Sequence, residues 1–287
     1  MKSCSFQYHQ PKTVQQAVEI LADVCVDEGR ILAGGQTLIP AMALRLARPT
    51  HLVDINRISE LALLAVASDH LSIGACVRHA AFHEPVVDGP LGRLLSVVAR
   101  HIAHLPIRMR GTFCGSLANA DAASEWCLVA ATLNATINLR SIRGERSLPV
   151  NEFFLGFMST ALEPDELLVA THLPLLPEGT HFGFEEYSRR SGDFAQAMSL
   201  VSFELRNGLM LKVRIGVGAV EGAARRLPQA EAVLESQIPS LECFARAAEA
   251  AAQTVEPSEP SDEEQQYKRE LVRTVVLRAL QKAVKTA

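Results

Sequence analysis

Two short segments rich in glycine and small residues carry the backbone groups best suited to binding chemistry. The first runs Leu32-Ala33-Gly34-Gly35-Gln36-Thr37-Leu38, a short apolar stretch that breaks into paired glycines. Paired glycines let the backbone turn sharply and present successive N–H groups to an anion. A helix beginning at Leu38 would add its positive end. No lysine follows the glycines, which excludes a P-loop, and an ordinary strand-to-helix turn is the alternative interpretation.

The second segment begins at Thr112 and continues through Gly115, Ser116 and Ala118 to Asp121, with Glu125 just beyond. The hydroxyls of Thr112 and Ser116 can donate hydrogen bonds to phosphate oxygens, and the two carboxylates can accept them from ribose hydroxyls. The alternative is a glycine- and serine-containing turn with solvated carboxylates. Taken together, the two segments fit one extended diphosphate ligand that lies between two α/β subdomains.

Other patterns carry less chemistry. The glycines between Gly216 and Gly222 resemble a dinucleotide fingerprint, but their spacing is wrong and no βαβ unit surrounds them, which favours a position in a sheet. His101 and His104 lack a third metal ligand, which favours packing or surface roles and predicts no metal site. No serine stands in a G-x-S-x-G elbow, so nothing supports a serine hydrolase.

Size and charge narrow the class of protein. The 287 residues predict about two domains at roughly 150 residues each. Apolar residues make up 48% of the chain and charged residues 21%, which is typical of a globular protein. The formal net charge of −4 argues against a nucleic-acid partner, which would need clustered cations.

The six cysteines contain no C-x-x-C pair, which disfavours zinc or an iron–sulfur cluster bound by this chain alone. A disulfide framework is equally disfavoured at this length and spacing. The first residues have no apolar signal region, and runs such as Leu61–Ala67 are too short to span a membrane. We therefore expect a reducing, cytoplasmic compartment and no membrane span.

The elements that must position the two segments follow from apolar periodicity and turn signals. Thr13 caps the first helix, a strand begins at Arg30, and Pro49 ends the helix after the paired glycines. Asn207-Gly208 predicts a hairpin, and Pro174 with Pro177 marks a domain boundary. The small residues of 111–121 predict a turn. The cationic last helix is expected to cover the core with one face and to expose its charged face to solvent. The predicted helices cover residues 14–21, 38–46, 90–103, 126–133, 244–252 and 267–283, and the further strands 51–55, 71–75, 135–139, 167–173, 197–205 and 210–220.

The first segment with its continuation through Arg45, Arg48 and Pro49, followed by His51-Leu-Val-Asp54-Ile-Asn56, resembles the FAD-binding (medium) subunit of molybdenum hydroxylases. This family is the carbon monoxide dehydrogenase and xanthine dehydrogenase superfamily. Residues 107–121 resemble its second flavin loop, and the likeness continues through residues 146–174, 189–195 and the last helix. The resemblance thus spans nearly the whole chain.

The resemblance implies an α+β fold: a two-lobed FAD-binding domain of the vanillyl-alcohol-oxidase (PCMH) type at 1–177, with subdomains of about 1–58 and 59–177, then a smaller C-terminal domain at 178–287. By position, Ala33–Thr37 with Leu32 and Leu38 would cradle the FAD pyrophosphate. The other lobe would hold the cofactor through Thr112, Gly115, Ser116 and Ala118. The residues that would line the cofactor are Ile102, Ala103, Ile107 and Leu168, and those that would hold its adenosine end are Asp121 and Glu125. No catalytic acid or base is expected.

The chain departs from the family pattern at several positions. Cys114 replaces a glycine of the second loop, and it would be strained if that position needs a positive φ. Glu185 and Glu186 stand where some members place a lysine near the flavin. Substitutions also occur at Met109, Asn119 and Ala122. Because the first loop offers neither His nor Cys, covalent flavin attachment is disfavoured, although Cys114 in the second loop keeps that alternative open.

The resemblance implies an oxidoreductase subunit that passes electrons from iron–sulfur clusters through FAD to an external acceptor. Its partners would be a small subunit with two [2Fe–2S] clusters and a large molybdopterin subunit, assembled as a dimer of heterotrimers. One alternative is a stand-alone flavin oxidoreductase, for which Tyr187 and His104 are the candidate proton-handling residues. The second alternative is a scaffold protein that binds no flavin and only joins its partners. The substrate and the acceptor stay open, because the substrate pocket would lie on another chain.

Overall fold

A three-stranded parallel sheet forms the first lobe in the computed structural model, which describes residues 2–285. Its strands lie in the order β1-β3-β2. Thr13 caps α1 by accepting a hydrogen bond from the backbone of Gln16, and one face of α1 is buried. The elements of this lobe are β1 (Gln7–His9), α1 (Val14–Val24), β2 (Arg30–Leu32), α2 (Leu38–Ala43) and β3 (His51–Asp54).

The second lobe is a five-stranded antiparallel sheet in the order β4-β5-β10-β6-β7, with helices packed against it. Its core contains the fully buried rings of Phe82, Phe113 and Trp126. The elements are β4 (Leu64–Val66), β5 (His70–Gly74), α3 (Pro90–Ala99), α4 (Leu105–Arg108), α5 (Phe113–Asn119), α6 (Glu125–Leu133), β6 (Thr136–Ser141), β7 (Gly144–Pro149), α7 (Val150–Phe153), β8 (Phe154–Gly156), β9 (Ser159–Thr160) and β10 (Leu167–Pro174). Single 3-10 turns cover Cys25–Asp27, Ile55–Arg57, Ser59–Ala62 and His79–His83.

The C-terminal region is a four-stranded antiparallel sheet in the order β11-β12-β13-β14. Successive side chains of a strand point to opposite faces. Met198 and Leu200 of β12 pack into the core of the second lobe, whereas Val201 and Phe203 pack into a separate core beneath α9 and α10. The elements are β11 (Thr180–Tyr187), β12 (Ala197–Arg206), β13 (Leu209–Gly218), β14 (Arg225–Arg226), α8 (Pro228–Leu234), α9 (Leu241–Thr254) and α10 (Asp262–Ala283).

The hairpin prediction is confirmed, since Asn207 and Gly208 connect β12 to β13 with φ values of 52° and 78°. Of the glycines that resemble a fingerprint, Gly216 and Gly218 lie at the end of β13 and Gly222 follows it, and a Cβ on Gly216 would collide with the Thr132 side chain. The sheet interpretation of that motif is therefore confirmed. Within residues 2–285, no helix has the length and apolar character that crossing a membrane requires.

Several predicted boundaries are wrong. The second helix ends at Ala43, well before Pro49, because Arg45 adopts a left-handed φ of 61°. The helix predicted over 90–103 stops at Ala99, and α4 follows after the left-handed Ala103. Residues 113–119 form a helix where a turn was predicted. The strands β7 and β11 and the helix α8 were not predicted.

The last helix covers core as predicted, with Val272, Val276 and Leu280 on its buried face. It begins at Asp262, earlier than predicted, because Ser261 caps it by accepting from the backbone of Glu264. Its cations are not all solvated: the Lys268 ammonium donates to the carbonyls of Gln196 and Ala219, at 2.6 and 2.9 Å.

Candidate functional site

The two predicted loops meet at Gly34. A Cβ placed on Gly34 would lie 2.6 Å from the carbonyl oxygen of Arg110 and 2.6 Å from the Cα of Gly111. Both of these are backbone atoms, so only glycine permits this approach. The next residue, Gly35, has a φ of 71°, which glycine also favours. The structure therefore brings the first and second segments together, as one ligand held by both would require.

The first loop presents a row of free backbone donors. The amides of Gly34, Gly35, Gln36 and Thr37 donate to no acceptor among residues 2–285, although most of the loop is half-buried. The Gln36 side chain turns inward and donates to the Gly34 carbonyl at 3.1 Å, while Ile39 donates to Gly35 at 3.0 Å. Half-buried amides without partners are uncommon in native proteins, and successive free amides form a concave anion site.

A chain of hydrogen bonds holds both loops from behind. The Asp54 carboxylate, at the end of β3, accepts from the backbone N–H of Asn56 at 2.9 Å and from its side-chain amide at 2.6 Å. The same Asn56 amide donates to the Ala33 carbonyl at 2.8 Å. Arg78 donates to the Asn56 side-chain oxygen at 2.6 Å and also to the Arg110 carbonyl. Asn56 and Arg78 thus connect the first loop to the second.

The chain extends to the N-terminal strand. The hydroxyl of Tyr8 donates to Asp54, and this hydrogen bond raises the pKa of Tyr8 above its usual range. Asp54 and Asn56 belong to the sequence motif at residues 51–56 that resembles the family, but the sequence analysis assigned them no role. Asp-x-Asn at the end of a strand is typical of a turn in which the Asp side chain caps the following backbone, and this signal could have identified them.

The second loop forms the N-terminus of the helix α5, and Thr112 caps this helix. The Thr112 hydroxyl oxygen accepts from the backbone of Gly115 at 3.0 Å, so its own proton is still available to a ligand. A Cβ on Gly115 would lie 2.6 Å from this oxygen, which explains the glycine. The Ser116 hydroxyl is half-buried and has no hydrogen-bond partner within residues 2–285.

Cys114 is not strained, which corrects the expectation about its backbone. It lies inside α5 and is absent from the residues with positive φ within the described chain. Its side chain is buried with Sγ 3.3 Å from the Thr171 hydroxyl, and burial raises the pKa of the thiol to about 12. A thiol held so far from ionisation is a packing residue.

A neutral histidine supports the second loop. Trp126 donates its indole N–H to Nδ1 of His79 at 2.9 Å, which leaves the proton on Nε2. Burial, with the charges of Arg78 and Arg108 as the lesser causes, lowers the pKa of His79 to about 4. A Cβ on Gly111 would collide with this ring, and the backbone of His79 donates to the Gly111 carbonyl at 3.0 Å. Sequence reasoning missed His79.

The cofactor-lining residues predicted around α4 lie next to the second loop. Arg108 donates to the carbonyls of Ile102 and Ala103 at 2.7 and 2.9 Å, and Gly111 donates to that of Ile107 at 2.8 Å. Of two other predicted residues, one lies in the core and the other lies within the second segment itself. Leu168 is buried in the core on β10, and Ala118 is exposed on α5.

The two predicted carboxylates follow α5. Asp121 accepts from the backbone of Ala123 at 2.9 Å. Glu125 is the first residue of α6, and burial raises its pKa to about 8, with the negative charge of Glu186 as the next cause. Residues 2–285 contain no group of three or more side chains that could hold a metal ion.

Comparison with known proteins gives full-length matches. The family model for the FAD binding domain in molybdopterin dehydrogenase matches residues 4–176, and that for the CO dehydrogenase flavoprotein C-terminal domain matches residues 182–283. Subunit alpha of the 6-hydroxypseudooxynicotine dehydrogenase complex of Paenarthrobacter nicotinovorans is 38% identical, covering 100% of this chain and 97% of that protein.

Two solved structures share the fold. Carbon monoxide dehydrogenase from Hydrogenophaga pseudoflava, in a form lacking the Mo-pyranopterin moiety, matches with a TM-score of 0.93 and 34% identity, and the match covers 99% of both chains. Quinoline 2-oxidoreductase from Pseudomonas putida 86 matches with a TM-score of 0.91 and 35% identity over 99% of both chains.

Proposed function

Because this chain belongs to the FAD-binding subunit family of the molybdenum hydroxylases, whose members are oxidoreductases with a two-lobed flavin domain and a smaller C-terminal domain, we propose that it relays electrons through FAD. In this role it receives them from iron–sulfur clusters on a partner and delivers them to an external acceptor. FAD itself supplies the redox chemistry, since it accepts electrons singly and releases one or two.

The observation that carries the proposal is the row of free amides from Gly34 to Thr37, in a loop that meets the backbone of Arg110 and Gly111 at Gly34. A pyrophosphate has the charge and the acceptor oxygens to satisfy these amides. The hydroxyls of Thr112 and Ser116 lie on the opposing loop and can donate to the same group. This chain's residues therefore bind and orient the cofactor rather than perform acid–base catalysis.

The remaining assignments rest on family membership. Leu32, Leu38, Ile102, Ala103 and Ile107 would line the cofactor, with Ala118, Asp121, Glu125 and Leu168 at its ends. The partners would be a small subunit with two [2Fe–2S] clusters and a large molybdopterin subunit, in a dimer of heterotrimers in the cytoplasm. The domain bounds we propose are 1–177 and 178–287. The names of the relatives, such as a dehydrogenase complex subunit, support the multisubunit assignment.

The test is an absorbance spectrum of the protein purified from its host under mild conditions, with its subunits resolved on a denaturing gel. Flavin bands overlaid by iron–sulfur absorbance, with two further chains, are expected. A flavin spectrum from a single chain would contradict the multisubunit role and favour the stand-alone oxidoreductase. A protein without flavin absorbance, and unable to bind added FAD, would contradict the proposal entirely.

A further inference from the structure

Arg78 lies directly beside the second loop. Its backbone forms an isolated antiparallel bridge with Thr112, and the next residue, His79, donates its backbone N–H to the Gly111 carbonyl at 3.0 Å. These contacts fix the backbone of Arg78 against the loop that carries the Thr112 hydroxyl. The side chain of Arg78 therefore starts from a fixed point next to the proposed cofactor site.

The guanidinium of Arg78 is half-buried where the two loops meet. One of its terminal nitrogens donates to the Arg110 carbonyl oxygen, and a Cβ placed on Gly34 would lie 2.6 Å from this same oxygen. The other terminal nitrogen donates at 2.6 Å to the side chain of Asn56, whose amide holds the Ala33 carbonyl at 2.8 Å. Only one carbonyl group thus separates the guanidinium from Gly34, where the row of free amides begins.

No anionic side chain neutralises Arg78. Within residues 2–285, the hydrogen bonds that its guanidinium donates go to two uncharged oxygens, and it forms no ion pair. Burial lowers the pKa of Arg78, and the charge of Asp54, which raises this pKa, is the smallest cause. The Asp54 carboxylate already accepts hydrogen bonds from Tyr8 and Asn56. Because a half-buried charge without a counter-ion is costly, this position favours an anion from outside the chain.

A second cation, Arg110, lies next to the first. Its carbonyl accepts the hydrogen bond from Arg78, and after burial its positive charge is a further cause that lowers the pKa of Arg78. The side chain of Arg110 is exposed and has no hydrogen-bond or ion-pair partner in the described part of the chain, residues 2–285. Two unpaired cations repel each other, and an anion bound beside both of them would offset this repulsion.

We propose that Arg78 and Arg110 are the counter-charges of the FAD diphosphate and select flavins that carry it. The inference rests on the proposed function and names residues that recognise its ligand. The free amides from Gly34 to Thr37 supply hydrogen bonds without net charge, whereas the two guanidiniums supply one positive charge for each phosphate group. Riboflavin, which has no diphosphate, would leave both cations unpaired.

The experiment titrates the flavin-free full chain with FAD from about 0.02 to about 0.5 M NaCl, which screens exposed charges progressively. At low salt, Arg78→Gln should raise the Kd about ten- to hundredfold, as expected for hydrogen bonds to a charged group. Arg110→Gln should raise it about two- to fivefold, because this side chain is exposed. In both variants the Kd should rise less steeply with salt than in wild type, whereas Arg78→Lys, which keeps the charge, should retain the wild-type salt dependence.

Two controls separate charge from structure. Asn56→Ala loosens the same connection between the loops but keeps both cations, so its Kd should rise with an unchanged salt dependence. Arg93→Gln removes an exposed, unpaired charge from α3 and should change neither the Kd nor its salt dependence. Inorganic pyrophosphate provides a second readout, since it should displace FAD from wild type and Arg93→Gln at lower concentrations than from Arg78→Gln.

A salt dependence in Arg78→Gln equal to that of wild type and Asn56→Ala would overturn the inference, since Arg78 would then act only through its hydrogen bonds to the loops. An equally reduced salt dependence in Arg93→Gln would overturn it as well, because net charge alone would explain the effect. If Arg78→Gln does not fold, Arg110→Gln and Arg78→Lys still give the comparison. A wild-type chain that binds no FAD at any salt concentration would instead refute the proposed function, which separates the two failures.

Discussion

Replacement of Asn56 by alanine tests whether the hydrogen bonds behind the loops prepare the cofactor site. The substitution removes two bonds that hold the loops, to the Ala33 carbonyl at 2.8 Å and from Arg78 at 2.6 Å. It also removes the bond to the Asp54 carboxylate two residues away, which stays within one turn and does not connect the loops. A neutral hydrogen bond contributes about 1 kcal/mol and one to a charged group about 1.5 to 3 kcal/mol. Because Asn56 is exposed without ligand, the lower values apply, and we expect a total of about 2 kcal/mol.

This loss should fall on FAD binding more than on folding. Without Asn56, the two loops lose their shared tether, and binding must order them. A cost of about 2 kcal/mol corresponds to a Kd raised about thirtyfold. The assay is titration of the flavin-free chain with FAD, followed by flavin fluorescence, together with urea unfolding of the same protein without FAD.

The matched control is Asn151→Ala. Asn151 is also exposed and makes no side-chain hydrogen bond within residues 2–285, so its Kd should stay within twofold of wild type. If Asn56→Ala binds FAD as tightly as Asn151→Ala, the hydrogen-bond chain does not prepare the site. If its unfolding free energy falls by the full amount while the Kd is unchanged, the chain serves folding alone.

Three further perturbations have definite expected results. Gly34→Ala forces the loops apart at Arg110 and should abolish FAD retention after gel filtration, whereas Gly208→Ala at the hairpin tip, where no atom lies within 4 Å of the added Cβ, should retain it. His79, with a folded pKa of about 4, stabilises the protein above pH 6.5, and up to about 3 kcal/mol of this stability is lost as pH falls to 4. The free energy of unfolding in urea should therefore fall less steeply between pH 6.5 and pH 4 in His79→Gln than in wild type. Glu186, with a folded pKa raised to about 7, favours folding at low pH and loses up to about 3 kcal/mol as pH rises from 4.5 through 7. The free energy of unfolding of Glu186→Gln should therefore rise relative to that of wild type between pH 5.5 and pH 8.5. An equal difference in unfolding free energy at the two pH values would contradict burial of this carboxyl.

Local chemistry in the sequence singled out both segments, because paired glycines and closely spaced hydroxyls act within a few residues, and the structure places the two segments against each other at Gly34. The same holds for the hairpin at Asn207. The helix over 113–119 was missed because its small residues are typical of turns, and only burial of Phe113, Cys114 and Leu117 against the sheet makes it helical. Tertiary contacts override weak local preference in such segments.

The hydrogen bonds through which Asn56 and Arg78 connect the two loops could not be predicted from the spacing of residues in the sequence. Asn56 follows β3 of the first sheet and Arg78 follows β5 of the second, so their contact depends on how the two lobes pack. The direction of Glu186 depends on β11, a strand that was not predicted. Both cases involve contacts between residues distant in sequence, which periodicity does not encode.

The strand β12 belongs to both cores, with Met198 and Leu200 on one side and Val201 and Phe203 on the other. Loss of either core would leave one face of this strand in water. The two domains are therefore expected to unfold in a single cooperative transition, and excision of either would yield an aggregation-prone fragment.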